Sequence, residues 1–162
     1  PYTTLFRSNL DNLLKEEIDL FDSRDNIRFS YMGLDNATVM GPKPQLTRVF
    51  VNLINNAVQA IENAQTEAEE KGLEPFTGRI VVSLRLSSKD GFYDIVFEDN
   101  GPGVSEENRS KLFTPNFTTK SNGTGLGLSI CRNILEKCNG EIFYSKSFSL
   151  KGACFTVRFP RR

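Results

Sequence analysis

The chain has 162 residues, 38% hydrophobic and 25% charged, and its basic and acidic side chains cancel to a formal net charge of zero. A polypeptide this long can bury roughly 70% of its unfolded surface, enough for one core, and balanced charge without a basic stripe argues against nucleic acid as the main partner. No apolar run approaches the ~20 residues that span a bilayer. Three cysteines without CxxC spacing and no histidine argue against zinc and against histidine chemistry within these residues.

Pro1 to Ser8 follow no helical or strand logic and match what a widely used sequencing-library adapter encodes in one reading frame. They are read as an artefact, with the domain running from 9 to 162 and the natural chain extending upstream. From Asn9 to Phe21, Leu10, Leu13, Leu14, Ile18 and Phe21 recur at helical spacing. Ile27 to Met32 and Ala37 to Met40 read as short strands joined by Gly33-Leu34-Asp35-Asn36, a turn-rich link that predicts a hairpin.

A long helix is predicted from about Gln45, with Leu46, Val49, Phe50, Leu53, Ala57, Ala60, Ile61 and Ala64 as its core stripe. At about 100° per residue, Gln45, Arg48, Asn52, Asn56, Gln59 and Asn63 form a second stripe beside the first. Asn is a poor helix former, so Asn52, Asn55, Asn56 and Asn63 clustered here exceed what a solvated face needs. Carboxamide oxygens suit Mg²⁺, which prefers oxygen donors and shares phosphates as ligands. The charged stretch from Ala64 to Glu74 reads as a fraying helix end and a loop.

Arg79 to Leu86 and Phe92 to Glu98 are predicted strands paired through Ser87 to Gly91. In the second, apolar and polar residues alternate as in a half-buried strand, and Asp99-Asn100-Gly101-Pro102-Gly103 breaks it with turn residues, leaving Asp99 at a strand end. A carboxylate only accepts hydrogen bonds, so a partly buried one suits the exocyclic amino group of adenine and repels the carbonyl of guanine. Beyond it, a polar loop of about twenty residues is longer than an ordinary connection and reads as a nucleotide lid. Gly123-Thr124-Gly125-Leu126-Gly127-Leu128 then feeds a helix carrying Leu126, Ile130, Ile134 and Leu135. Free N–H groups at such a helix start suit phosphate, and Lys120 adds a cation nearby. Cys131 and Cys138 on this helix read as core thiols. Glu141 to Ser145 and Cys154 to Phe159 alternate as two more strands. The order predicts an α+β two-layer sandwich: a mixed, mainly antiparallel sheet of five or more strands with three helices on one face.

With these segments placed, the chain resembles the ATP-binding catalytic domain of sensor histidine kinases, in the Bergerat-fold superfamily shared with gyrase and the chaperone and mismatch-repair ATPases. The resemblance rests on NLINNA (Asn52 to Ala57), DNGPG (Asp99 to Gly103), a phenylalanine box ending in TTK (Phe113 to Lys120) and GTGLGL (Gly123 to Leu128). The TTK and Asn-Ala-Val-Gln-Ala sequences are most similar to the nitrogen-regulation branch.

The resemblance implies ATP and Mg²⁺ as cofactors and γ-phosphoryl donation to a histidine on a separate dimerisation domain, with a response regulator downstream and a cytoplasmic location. It implies that Asn56 coordinates Mg²⁺, that Asn52 assists with phosphate or metal, and that Asp99 takes the adenine amino group, with Gly101 and Gly103 shaping the pocket. Lys120 would neutralise the γ-phosphate and Gly123, Gly125 and Gly127 would offer backbone amides. Phe113 and Phe117 would anchor the lid, and Thr119, Thr124, Leu126 and Leu128 complete the nucleotide-contacting set.

Where ATP-hydrolysing branches carry a Glu as general base, Asn52 stands, which disfavours attack by water and so favours transfer to another nucleophile. Gln59 replaces a phosphate-contacting Lys or Arg, and Ala153 after Gly152 replaces a Thr near the base. An anti-sigma-factor-type serine kinase and a non-catalytic ATP-sensing scaffold are the alternatives.

Overall fold

The computed structural model describes residues 7–115 and 127–161. In chain order these form β1 (Arg7–Asn9), α1 (Leu10–Phe21), β2 (Ile27–Met32), β3 (Thr38–Met40), α2 (Lys43–Glu70), β4 (Gly78–Leu86), β5 (Phe92–Asp99), the single turn α3 (Glu106–Arg109), α4 (Gly127–Lys137), β6 (Glu141–Lys146) and β7 (Ala153–Pro160). Five strands make a mixed sheet in the order β2-β4-β5-β7-β6, in which only the β2–β4 pair is parallel. The α+β layering predicted from the element order is therefore the observed one.

The predicted β2–β3 hairpin does not form. β2 runs parallel to β4, while β3 pairs antiparallel with β1, so Arg7 and Ser8, omitted from the sequence-based fold, belong to a strand. The Ser8 hydroxyl also donates to the Gly41 carbonyl at 2.7 Å. The reason for the open link lies in α1. Buried Asp11 accepts a 2.5 Å hydrogen bond from the Tyr31 hydroxyl and another from the Leu34 backbone, and Lys15 stands 2.9 Å from its second oxygen. A Cβ at Gly33 would fall 2.1 Å from the same carboxylate. The link is thus folded onto α1 instead of reversing between two strands.

α2 is the axis of the helical layer. Pro42 caps it and Pro44 lies in its first turn, where the missing N–H costs nothing, so the helix starts at Lys43, slightly before Gln45. It does not fray after Ala64. Gln65 donates to the carbonyls of Asn26 and Phe76, both at 3.0 Å, and Ala68 is buried. The end is a glycine cap: Gly72 has φ +68°, its N–H bonds Glu69 at 3.1 Å, and Leu73 N–H bonds Ala68 at 2.8 Å.

The core lies between α1, α2 and α4 and one face of the sheet. Leu46, Val49, Phe50, Leu53, Ala57 and Ile61 are buried as predicted, and so are Ile54 and Val58, whereas Ala60 and Ala64 are only half-buried. A helix packed against both a sheet and two other helices needs an apolar face wider than one stripe. The ring of Phe50 lies 6.2 Å from that of Phe97 on β5.

β5 is not the half-buried strand that its alternation predicts, because it is central and Asp94 through Phe97 are all buried. Asp94, on the far face, survives burial by a two-pronged bond from Arg158 of β7, at 2.8 and 3.0 Å. Arg158→Met should therefore lower stability by roughly 1.5–3 kcal/mol by orphaning a buried carboxylate, measured by urea denaturation; a loss within error of zero would show the pair to be dispensable.

Candidate functional site

Asp99 is the last residue of β5 and is 4% exposed. Its Oδ1 accepts from the Gly101 N–H at 2.9 Å, closing a tight turn, and from the Ala153 N–H at 3.2 Å at the start of β7. Burial pushes the carboxyl above the ordinary aspartate range, with the two main-chain bonds pulling the other way. Among the described residues no hydrogen bond is recorded at Oδ2, so this oxygen is the acceptor on offer. The close fit depends on Gly152, where a Cβ would lie 2.3 Å from the Asp99 carbonyl and 2.4 Å from Oδ1.

The rest of the glycine turn is pinned from several sides. Asn100, to which sequence reasoning gave no role, accepts from Arg79 N–H at 2.7 Å and donates to the Thr77 carbonyl at 3.0 Å, fastening the turn to β4. An Asn directly after a strand-end Asp is the one signal that could have revealed it. Gly101 faces α2, with its Cβ direction ending 3.5 Å from the Ala60 methyl. Gly103 adopts φ +74°, a conformation that favours glycine.

Asn52 and Asn56 lie one turn apart on α2, both half-buried. The Asn52 amide nitrogen points to the start of α4, 3.5 Å from the Gly127 carbonyl and 3.6 Å from Cys131 Sγ. Cys131 is fully buried and burial pushes its thiol up to about 11, whereas Cys138 is only half-buried. Gly127 has open space around its Cα, and Leu128 packs against the core. Phe113 stands edge-on to Phe155, with ring centroids 6.4 Å apart. Gln59 is half-buried, and Ala153 contributes its main chain, rather than a side chain, to Asp99.

The contacts set an order along α2. Gly127 lies against Asn52 and Gly101 against Ala60, with Asn56 between them. Eight residues of helix span roughly 12 Å. Phe117, Thr119, Lys120, Gly123, Thr124, Gly125 and Leu126 lie outside the described residues. Among the described residues no group of three or more His, Cys, Asp or Glu could hold a metal ion. The neutral oxygen of Asn56 fits Mg²⁺ only as a partial ligand set, completed by anionic oxygens from a bound phosphate.

Residues 41–162 match the family of histidine kinase-, DNA gyrase B- and HSP90-like ATPases, and the chain belongs to that family. The sensor histidine kinase ZraS of Salmonella typhimurium is 33% identical over 98% of this chain, and sporulation kinase A of Bacillus subtilis 31% over 95%. The chain spans 32% and 23% of the lengths of those relatives. Among solved structures, the nucleotide-free catalytic domain of histidine kinase ThkA superposes with a TM-score of 0.77 at 29% identity, covering 96% of this chain and 94% of that one. The chain is thus a catalytic ATPase domain of the histidine kinase type.

The raised carboxyl at Asp99 means that folding favours its protonated form, so its contribution to stability is best at low pH and becomes unfavourable as pH rises through the folded-state value. Asp99→Asn is accordingly expected to keep or raise the thermal midpoint at neutral pH in a calorimetric scan; a marked fall would contradict this sign. Gly152→Ala, which drives a methyl into that carboxylate, should instead lower ATP affinity at least tenfold by titration calorimetry.

Proposed function

We propose that the chain binds ATP with Mg²⁺ and donates the γ-phosphoryl to a histidine carried on a separate dimerisation domain, as in a sensor histidine kinase. The observation that carries the reading is the order along α2. A buried carboxylate and glycine turn lie at one end, the start of α4 at Gly127 lies at the other, and amide side chains lie between. That arrangement suits a molecule with an amino-bearing flat base at one end and an anionic tail at the other.

In this reading Asp99 Oδ2 accepts from the adenine amino group, Gly101 and Gly103 bound the base, and Gly127 belongs to the phosphate end. Asn56 would hold the Mg²⁺, whose chemistry when bound is to neutralise phosphate charge. Lys120 takes the γ-phosphate, Gly123, Thr124 and Gly125 supply main-chain N–H groups, and Phe117, Thr119, Leu126 and Leu128 line the nucleotide.

Transfer breaks the bond between the γ-phosphorus and its bridging oxygen, forms a bond to an imidazole nitrogen of the acceptor, and releases ADP. Such a reaction asks the protein chiefly for positioning and charge neutralisation. Asn52 cannot serve as a base for water, and its amide is engaged with α4, which supports transfer over hydrolysis.

The histidine acceptor must come from another segment, since this sequence has none. An aspartate-bearing regulator as the next recipient is supported by the ThkA structure in complex with the response regulator TrrA, 27% identical with a TM-score of 0.71. The TTK and Asn-Ala-Val-Gln-Ala sequences support placing the chain in the nitrogen-regulation branch.

The test mixes the chain with γ-labelled ATP, Mg²⁺ and a dimerisation domain bearing the acceptor histidine. Acid-labile label on that domain is expected, falling at least a hundredfold with Asn56→Ala. Acid-stable label on serine would transfer the reading to a serine kinase, and ATP binding without label would reduce it to a sensor.

A further inference from the structure

We propose that Tyr144 and Arg109 are positioning residues for the base end of the site, gripping the main chain of Val104 from two sides and so holding the Gly101 to Val104 turn beside Asp99. The proposal deepens the nucleotide reading above and rests on it.

Tyr144 lies on β6 and faces the helical layer, with its ring stacked at a tilt on Phe155, 5.2 Å between centroids. Its hydroxyl oxygen accepts the Val104 N–H at 3.0 Å. The same oxygen lies 3.4 Å from where a Cβ at Gly103 would stand, so the hydroxyl abuts the one turn residue held at φ +74°. From the other side, Arg109 of α3 donates from Nε to the Val104 carbonyl at 3.3 Å, and its guanidinium lies over the Tyr144 ring, 5.4 Å from the centroid. Both main-chain polar groups of Val104 are thus occupied by side chains from different elements, and the two side chains brace each other.

Neither contact belongs to regular secondary structure. Without them a part-buried N–H and carbonyl, immediately after the glycine turn, would have no hydrogen-bond partner among the described residues. Gly103 has no side chain to restrict it, so the turn relies on its neighbours for a single geometry. The grip acts on the turn opposite the Gly101–Asp99 bond. Loosening it changes how the base is received and leaves the phosphate end, on α4 and α2, untouched.

Tyr144→Phe isolates the effect, because the ring and its stacking remain and only the hydroxyl is lost. The experiment measures adenosine and ATP affinities of the whole chain at a temperature well below melting. The expected result is a loss of about three- to tenfold, the same factor for both ligands. Arg109→Lys should give a loss in the same direction, and combining the two should cost less than the product of the separate factors. A merely structural role would lower the melting temperature and leave adenosine affinity unchanged. Unchanged adenosine affinity in Tyr144→Phe, or a loss seen with ATP and not with adenosine, overturns the proposal. Asp99→Asn run in parallel separates the two levels. If that variant also binds adenosine normally, the base-pocket reading itself fails; if it loses adenosine while Tyr144→Phe keeps it, only the grip fails.

Discussion

The Asp99 carboxylate sits where β5 ends and β7 begins, and its geometry is fixed by two main-chain N–H groups, from Gly101 and Ala153, that converge on one oxygen. Burial makes the charge unfavourable, and those two bonds offset part of that cost while committing only Oδ1. The other oxygen can then serve a ligand without giving up its support. The arrangement is possible because Gly152 lets one strand start press against the end of another. Everything proposed for the base end follows from that slot.

α2 translates the slot into a site with length. A 28-residue helix, closed by a glycine cap at its C-terminal end and packed against the sheet, α1 and α4, is a stiff reference line. The glycine turn meets it at Ala60 and the start of α4 meets it at Asn52. The separation between the two ends of the proposed site is thereby set by helix rise rather than by loop conformation. The Asn100 bridge to β4 and the Val104 bonds from β6 and α3 hold the glycine turn at one end of this frame.

Periodicity and turn chemistry are local, and what depended on them was readable: the three long helices, the strands flanking Ser87 to Gly91, and Asp99 at a strand end before a turn. Pairing is not local. The Gly33 to Asn36 link has hairpin composition, yet Asp11 on α1 draws it away from a hairpin, an attraction invisible in the link's own residues. The burial of Asp94 was hidden in the same way, since a strand with polar residues on alternate positions reads as half-buried until Arg158 is placed beside it.

By itself the sequence determined the α+β class, the ordered motifs that place the chain in its ATPase family, and the identity of the strand-end carboxylate and the helix amides. These follow from residue type and short-range spacing, which carry over into any fold that the chain adopts. Only the tertiary structure decided that Gly152 and Ala153 support Asp99, that Asn52 leans on α4, and that Tyr144 and Arg109 meet at Val104. Apart from Arg109 and Val104, five positions apart, those contacts join residues 40 or more positions apart, and no local propensity specifies them; the ones to Asp99 and Val104 from β7 and β6 follow from the sheet order, and that of Asn52 from the packing of α4 on α2.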